Sequence, residues 1–321
     1  MSPKSDNKGI GGYLSLDLAV RNELPQDRLY LNSGREGFAY LLRSKKIKKI
    51  QLPYYTCGVV WKTALQCGCE IIPYDVDASF APCNYLRDLP LLYTNYFGLC
   101  SKQLIEITNN CKEVYVDNSQ AFYAEPKGNG AFWSPRKFFG LPDGGVVWPI
   151  APDMEVQGRA ISYNRFLHLI KRIDVGASEA YADFSLSESQ LEFERIQLMS
   201  NLTSALLKAA PIERIGELRR RNFLFLHNIL KEDNELNLDL GTQDVPLIYP
   251  YKTRRAGRLR EILKSKRIFC AKYWPEDPSN FCMRSKMAKE FAETILPIPI
   301  DQRYKEEDLV YILECINEQN Y

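Results

Sequence analysis

Between residues 28 and 150 the apolar positions change period repeatedly, from short continuous runs to the three-to-four-residue spacing of a helix face. In the segment 36–43, Phe38, Leu41 and Leu42 share one helical face, and Ile50–Leu52 then reads as a strand ended by Pro53. Residues 58–67 group Val60, Trp61, Ala64 and Leu65 at helical spacing, with Gly68 as the stop. Glu70–Tyr74 and Leu89–Tyr93 are further strands, Ser101–Asn110 a short helix, Glu113–Val116 a strand running into Asp117, and Gly145–Trp148 a fifth strand. Such alternation over short connections predicts βαβ units and a largely parallel sheet. Ligands of an open parallel sheet bind beyond the carboxyl ends of its strands. The segments 54–57, 94–98 and 117–120 each follow a strand, so the pattern predicts that they converge at one edge.

Further on the alternation weakens. Residues 187–207 and 211–231 read as two amphipathic helices separated by Ala209-Ala-Pro211. A second α/β pattern follows: Val245–Tyr249 (strand), 254–265 (helix), Ile268–Ala271 (strand), 283–292 (helix) and Ile295–Ile300 (strand). A last helix, Tyr304–Gln319, carries Leu309, Ile312, Leu313 and Ile316 on one side. The expected organisation is a large domain over 1–208 and a smaller C-terminal α/β domain over 209–321.

Composition narrows the function classes. With 42 Lys+Arg against 40 Asp+Glu the net charge is +2, too small for a global affinity for nucleic acid. The basic runs 43–49 and Arg219–Arg221 lie at or near the ends of expected helices and read as solvated faces. No apolar stretch is long enough to span a bilayer, and MSPKSDNKGIGGY lacks the apolar region of a secretory signal, so a cytoplasmic location is expected. Nine cysteines without a CxxC pair argue for free thiols in a reducing compartment. The two histidines, His168 and His227, lie far from the closest cysteines, so no metal site is expected, and most His-dependent nucleophilic schemes are excluded.

The chemistry concentrates in Val116-Asp-Asn-Ser-Gln-Ala121 and in Ser134-Pro-Arg-Lys-Phe-Phe-Gly-Leu-Pro-Asp-Gly-Gly145. A carboxylate at a strand end, then a loop lysine before a Gly-Gly turn, suits pyridoxal 5′-phosphate (PLP). The cofactor aldehyde condenses with a neutral lysine amine, here Lys137, to a Schiff base. A carboxylate beside the pyridine nitrogen keeps the ring protonated and able to accept electrons. Its phosphate needs backbone N–H groups at a helix start, and Asn32-Ser-Gly-Arg-Glu-Gly37 opens the first helix with Gly34 allowing close approach.

In order, Ser33-Gly34, Pro53-Tyr-Tyr-Thr56, Asp117-Asn-Ser-Gln120 and Lys137 followed by Asp143-Gly-Gly145 resemble the motifs of the DegT/StrS-type PLP-dependent aminotransferases. Cys69-Glu-Ile-Ile-Pro-Tyr-Asp-Val-Asp77 and Ile295-Leu-Pro-Ile-Pro-Ile-Asp301 resemble two further strands of that family, so the resemblance covers roughly residues 28 to 318. It implies the PLP-dependent transferase (aspartate-aminotransferase) fold and a homodimer. It also implies a small-molecule amino donor and a keto acceptor such as a keto sugar or sugar nucleotide.

The resemblance assigns roles residue by residue. Lys137 attaches the cofactor and shuttles a proton, Asp117 pairs with the pyridinium nitrogen, Gln120 approaches the ring's phenolic oxygen, and Gly34 and Arg35 bind phosphate through their amides. The family's serine five residues before the lysine is Phe132 here, which leaves Ser134 as the substitute hydroxyl. Cys57 occupies the position of the family's stacking aromatic, making Tyr55 and Tyr96 the candidates for that contact. Asn201 stands where the family places a partner-subunit residue near the phosphate, or else is a helix cap. Arg136 beside the lysine, and one residue fewer before Asp143, mark a divergent short member. The residues alone leave transamination, other PLP reactions (elimination, racemisation, decarboxylation) and a non-catalytic PLP-binding regulator open.

Overall fold

The computed structural model describes residues 12–191, 195–274 and 284–317. Eight strands form one sheet in the order β1-β8-β7-β6-β5-β2-β3-β4. They are β1 (Leu29–Leu31), β2 (Lys49–Pro53), β3 (Glu70–Val76), β4 (Pro82–Cys83), β5 (Leu91–Thr94), β6 (Val114–Asp117), β7 (Gly130–Trp133) and β8 (Gly145–Trp148). The run β3-β2-β5-β6-β7 is parallel throughout, as the alternation predicted. At the edges the pairing is antiparallel: β8 with both β7 and β1, and β4 with β3.

Helices α1 (Gly34–Ser44) and α2 (Gly58–Gln66) cover one face of the sheet. There Phe38, Leu41, Trp61 and Ala64 pack on Ile50, Leu52 and Phe132. The opposite face carries Tyr93, Val116 and Trp133, joined by Phe291 and Ile295 from the C-terminal part of the chain. On that side also lies α3 (Ser101–Asn110), which buries Leu104 and Ile107.

The middle of the chain departs from expectation. The helix read over 187–207 is broken: α4 (Leu167–Val175) and α5 (Tyr181–Gln190) form a hairpin, and α6 (Asn201–Ala209) starts anew. The intervening backbone is held in extended form by its partners. Leu198 N–H donates 3.0 Å to Gly158 O, Met199 N–H donates 2.9 Å to Tyr30 O, and Gln197 O accepts from Asn32 N–H at 3.0 Å. Ser200, not Asn201, caps α6 by accepting from Thr203 N–H.

Downstream, α7 (Ile212–Leu230) matches its predicted span, and β9 (Ile248–Lys252) pairs antiparallel with β10 (Ile295–Pro299). With α8 (Ala256–Ser265) and α10 (Glu306–Asn317) these elements enclose a third apolar cluster, including Phe223, Tyr249, Leu259, Ile298 and Ile312, while α9 (Lys286–Thr294) buries Phe291 in the cluster on the sheet. The strand read at Ile268–Ala271 is absent: Ile268 N–H closes the end of α8 on Leu263 O at 2.8 Å, and Phe269 is 59% exposed. Met283, the first residue of the helix read over 283–292, lies outside the described residues, as do Pro275 and 318–321. No helix among the described residues is long and apolar enough to cross a membrane.

Candidate active site

Because β2, β5, β6 and β7 are parallel, their carboxyl ends deliver four segments to one edge of the sheet. Hydrogen bonds tie these segments together. Thr56 and Thr94 hydroxyls meet at 3.2 Å, Asn95 Nδ2 donates 3.1 Å to Asn118 Oδ1, and Phe97 N–H donates 2.9 Å to Gln120 Oε1. The predicted convergence of 54–57, 94–98 and 117–120 is therefore physical. Its polar residues are almost wholly buried, which makes every unsatisfied donor among them costly.

Asp117 ends β6 and is 5% exposed; its Oδ1 accepts the Ser119 N–H at 2.8 Å. Burial pushes its carboxyl above the usual range, against the pull of the Lys137 cation and of the Ser119 hydrogen bonds. Two buried amide groups beside it, Gln120 Nε2 and Asn118 Nδ2, have no hydrogen-bond partner among the described residues. With Gln120 Oε1 anchored on Phe97, its amide nitrogen is fixed and still able to donate.

Lys137 closes the single-turn helix Pro135–Lys137 that follows β7, and its side chain is exposed. Its neighbours in sequence are pinned. Arg136 makes a two-pronged ion pair with Glu188 of α5, 2.7 Å at one prong. Phe138 is buried beneath the Arg219 guanidinium, 4.7 Å from its ring centroid, and its carbonyl accepts from Gln302 Nε2 at 2.9 Å. Burial raises the Glu188 carboxyl, but the hydrogen bond and charge of Arg136 outweigh it and hold it below the usual range.

The turn opening α1 faces the same loop. Ser33 caps the helix by accepting from Glu36 N–H at 3.2 Å, and first-turn amides such as those of Gly34 and Arg35 have no intrahelical acceptor. A Cβ on Gly34 would stand 3.2 Å from Ser134 Cβ and 3.3 Å from Trp133 O, so Ser134 and this turn are in contact. The Gly-Gly pair has the same cause: a Cβ on Gly145 would lie 2.0 Å from Ser33 O. Just before it, the fully buried Asp143 binds Arg165 at 2.6 Å and accepts from the Thr203 hydroxyl. The turn and the lysine loop are thus locked against each other from behind.

Two assignments look different in three dimensions. The Arg35 guanidinium turns away to donate to Leu191 O, so only its backbone remains for the turn. Tyr55 is 1% exposed, stacked 5.6 Å from Tyr96 and edge-on to Trp274 at 4.7 Å; it leaves no ring face for a cofactor to stack on. Tyr96 is enclosed in the same cluster and donates its hydroxyl to Tyr55 O at 2.7 Å. Asn95, Asn118 and Glu188 escaped the sequence reading. Asn118 had a signal, since it lies inside the Asp117–Gln120 motif, whereas Glu188 reaches Arg136 from 52 residues away.

No protein-family model matches the sequence, and no curated protein does. Solved structures do. The sugar aminotransferase CalS13 from Micromonospora echinospora superimposes with a TM-score of 0.64 at 17% identity, covering 91% of this chain and 87% of CalS13. DesV from S. venezuelae, solved in complex with a ketimine intermediate, gives 0.62 at 16% identity over 91% and 84%. A DegT DnrJ EryC1 StrS aminotransferase from Brucella abortus gives 0.62 at 15% identity over 91% and 85%.

The chain has the fold of the PLP-dependent aminotransferases. Its large, mostly parallel eight-stranded sheet with covering helices matches those structures. Among the described residues no group of three or more His, Cys, Asp or Glu side chains could hold a metal ion.

Proposed function

We propose that this chain is a divergent DegT/StrS-type aminotransferase, using PLP to move an amino group from an amino acid onto a keto acceptor, a keto sugar or sugar nucleotide. The observation that carries the reading is the meeting of Asp117, Gln120, the Ser33-Gly34 turn and Lys137 at one sheet edge. The donor set suits the cofactor. Gln120 Nε2 is a fixed, buried donor awaiting an oxygen, as a phenolate supplies, and the amides of the α1 turn beside Ser134 suit a phosphate. The buried Asp117 carboxylate is costly by itself, and a pyridinium N–H would relieve that cost. PLP forms of the Streptococcus pneumoniae protein Spr1654, 10% identical and of the same fold, lend support.

When bound, PLP supplies an electron sink for the carbon that gives up the amino group. The protein's part is to position and to move protons. Asp117 would keep the ring nitrogen protonated, Gln120 would donate to the phenolic oxygen, and the amides of Gly34 and Arg35 with the Ser134 hydroxyl would hold the phosphate. Lys137 would hold the cofactor through Nζ, and as a free amine would carry the proton away from the substrate's Cα. Arg136 and Glu188 fasten α5 beside this lysine.

The reading extends to a homodimer with the site at the subunit interface, checked by light scattering, and to a large domain ending near 208. A cytoplasmic location is supported by eight free cysteines among the described residues. The test of function is optical. Protein loaded with PLP should convert on addition of glutamate to a species absorbing near ~330 nm, the cofactor's amine form. A loaded protein unmoved by any amino donor would contradict transamination.

A further inference from the structure

The Arg136–Glu188 pair is built unlike the other arginine contacts around the lysine loop. Arg165 meets Asp143 with side chains 5% and 0% exposed, and Arg219 lies buried over Phe138. The Arg136 and Glu188 side chains are 24% and 37% exposed, so solutes can reach this pair. Arg136 Nη1 and Nη2 each donate to one carboxylate oxygen, the Nη2 prong at 2.7 Å. That fork is the geometry in which an arginine takes up a planar carboxylate.

The cation stands on a fixed turn and its partner on a lightly packed helix. Arg136 lies between Pro135 and Lys137, and Pro135 O accepts from Phe138 N–H at 2.9 Å and from Phe139 N–H at 3.0 Å. Among the residues of α5, which carries Glu188, Ser187 alone is buried. Glu188 can therefore swing off Arg136 without opening the core, and an exposed pair of this kind is worth at most a factor of about five. Burial raises the Glu188 carboxyl, the Arg136 hydrogen bond and charge lower it most, and the Lys137 cation lowers it further. A carboxylate on this fork thus feels two cations, one of them the attachment lysine.

We propose that Arg136 receives the α-carboxylate of the amino donor, and that Glu188 is a tethered stand-in which the donor displaces. The proposal rests on the transaminase reading and deepens it, naming the residue that tells an α-amino acid from an amine without an α-carboxylate. It also gives the Ser134-Pro-Arg-Lys137 setting a role. An amine and a carboxylate on one carbon need receptors side by side, which consecutive residues of one turn supply.

The test is calorimetric titration of the PLP-loaded full chain with α-methyl-L-glutamate, which has no Cα proton to lose and so binds without being transaminated. Arg136→Leu should weaken its binding at least about tenfold, the loss of a two-pronged, charge-assisted contact. Arg136→Lys should fall in between, as a point charge without the fork. Glu188→Ala should tighten binding by about two- to fivefold, and should do nothing once Arg136 is leucine. The opposite signs are decisive, because a pair that only fastened α5 would be broken equally by either change and would shift affinity the same way. γ-Aminobutyrate, which is glutamate without its α-carboxylate, should bind every variant alike. Unchanged analogue affinity in Arg136→Leu, weaker binding by Glu188→Ala, or no binding by the wild type overturns the proposal. Glutamate added to the same samples keeps the two readings apart. Conversion of the cofactor to its amine form with analogue affinity unmoved by Arg136→Leu sinks this proposal alone; the predicted affinities without any conversion sink transamination alone.

Discussion

Replacing Arg165 by methionine should be among the most damaging changes outside the site itself. Arg165 and Asp143 have side chains 5% and 0% exposed, and they meet at 2.6 Å. Removing the guanidinium takes this cation away from a fully buried carboxylate, which keeps the hydrogen bond of the Thr203 hydroxyl. Breaking one side of a buried pair costs about 3–5 kcal/mol, two to three powers of ten or more in the folding equilibrium. The neutral double change Asp143→Asn with Arg165→Met removes the stranded charge and should cost less than the single one. Urea titration at neutral pH would read both. Because Asp143 immediately precedes the Gly-Gly turn, whose Gly144 N–H donates 2.8 Å to Asn32 O beside Ser33, the single variant should also bind PLP more weakly. A loss below about 1 kcal/mol for Arg165→Met, or a double variant weaker than the single, would refute the idea that this pair holds the lysine loop in place.

Three further outcomes follow from the same geometry. Asp117 is raised by burial, so the folded chain binds that proton more tightly than the unfolded one, and stability falls as pH rises through the raised value. Asp117→Asn, which can keep the Ser119 hydrogen bond, should therefore raise the melting temperature of PLP-free protein at pH 7 while weakening PLP binding; a lower melting temperature counts against the assignment. Gln120→Leu removes a donor with no partner among the described residues and the acceptor of Phe97 N–H, and should weaken PLP binding by about 1–3 kcal/mol, read by equilibrium dialysis. Gly34→Val places carbon within 3.2 Å of Ser134 Cβ and 3.3 Å of Trp133 O, and should lower cofactor affinity more than it lowers melting temperature, compared by dialysis and calorimetry.

The parts legible in the sequence are those written in local periodicity. The parallel strands β2, β3, β5 and β6 and the helices α1, α2, α7 and α10 stand close to their expected spans, because each buries apolar residues that repeat at its own period. β7 was missed because Gly130-Ala-Phe-Trp133 is four residues long and buried on both faces, which erases alternation. The break in 187–207 comes from partners at Tyr30, Asn32 and Gly158, far away in sequence, and no local pattern encodes them. Ile268–Ala271 looks like a strand by composition but pairs with no strand among the described residues.

The same division runs through the site. Asp117 and Lys137 could be read from their position after strands and before a Gly-Gly turn. The Arg136–Glu188 and Asp143–Arg165 pairs and the enclosure of Tyr55 are products of tertiary packing.

The claim that matters most is that Lys137 holds the cofactor. Purified protein mixed with PLP should develop a band near about 410–430 nm, and borohydride should fix that cofactor irreversibly to a peptide containing Lys137. Lys137→Ala should show neither. Retention of both the band and the borohydride-stable label in Lys137→Ala would contradict the account at its centre.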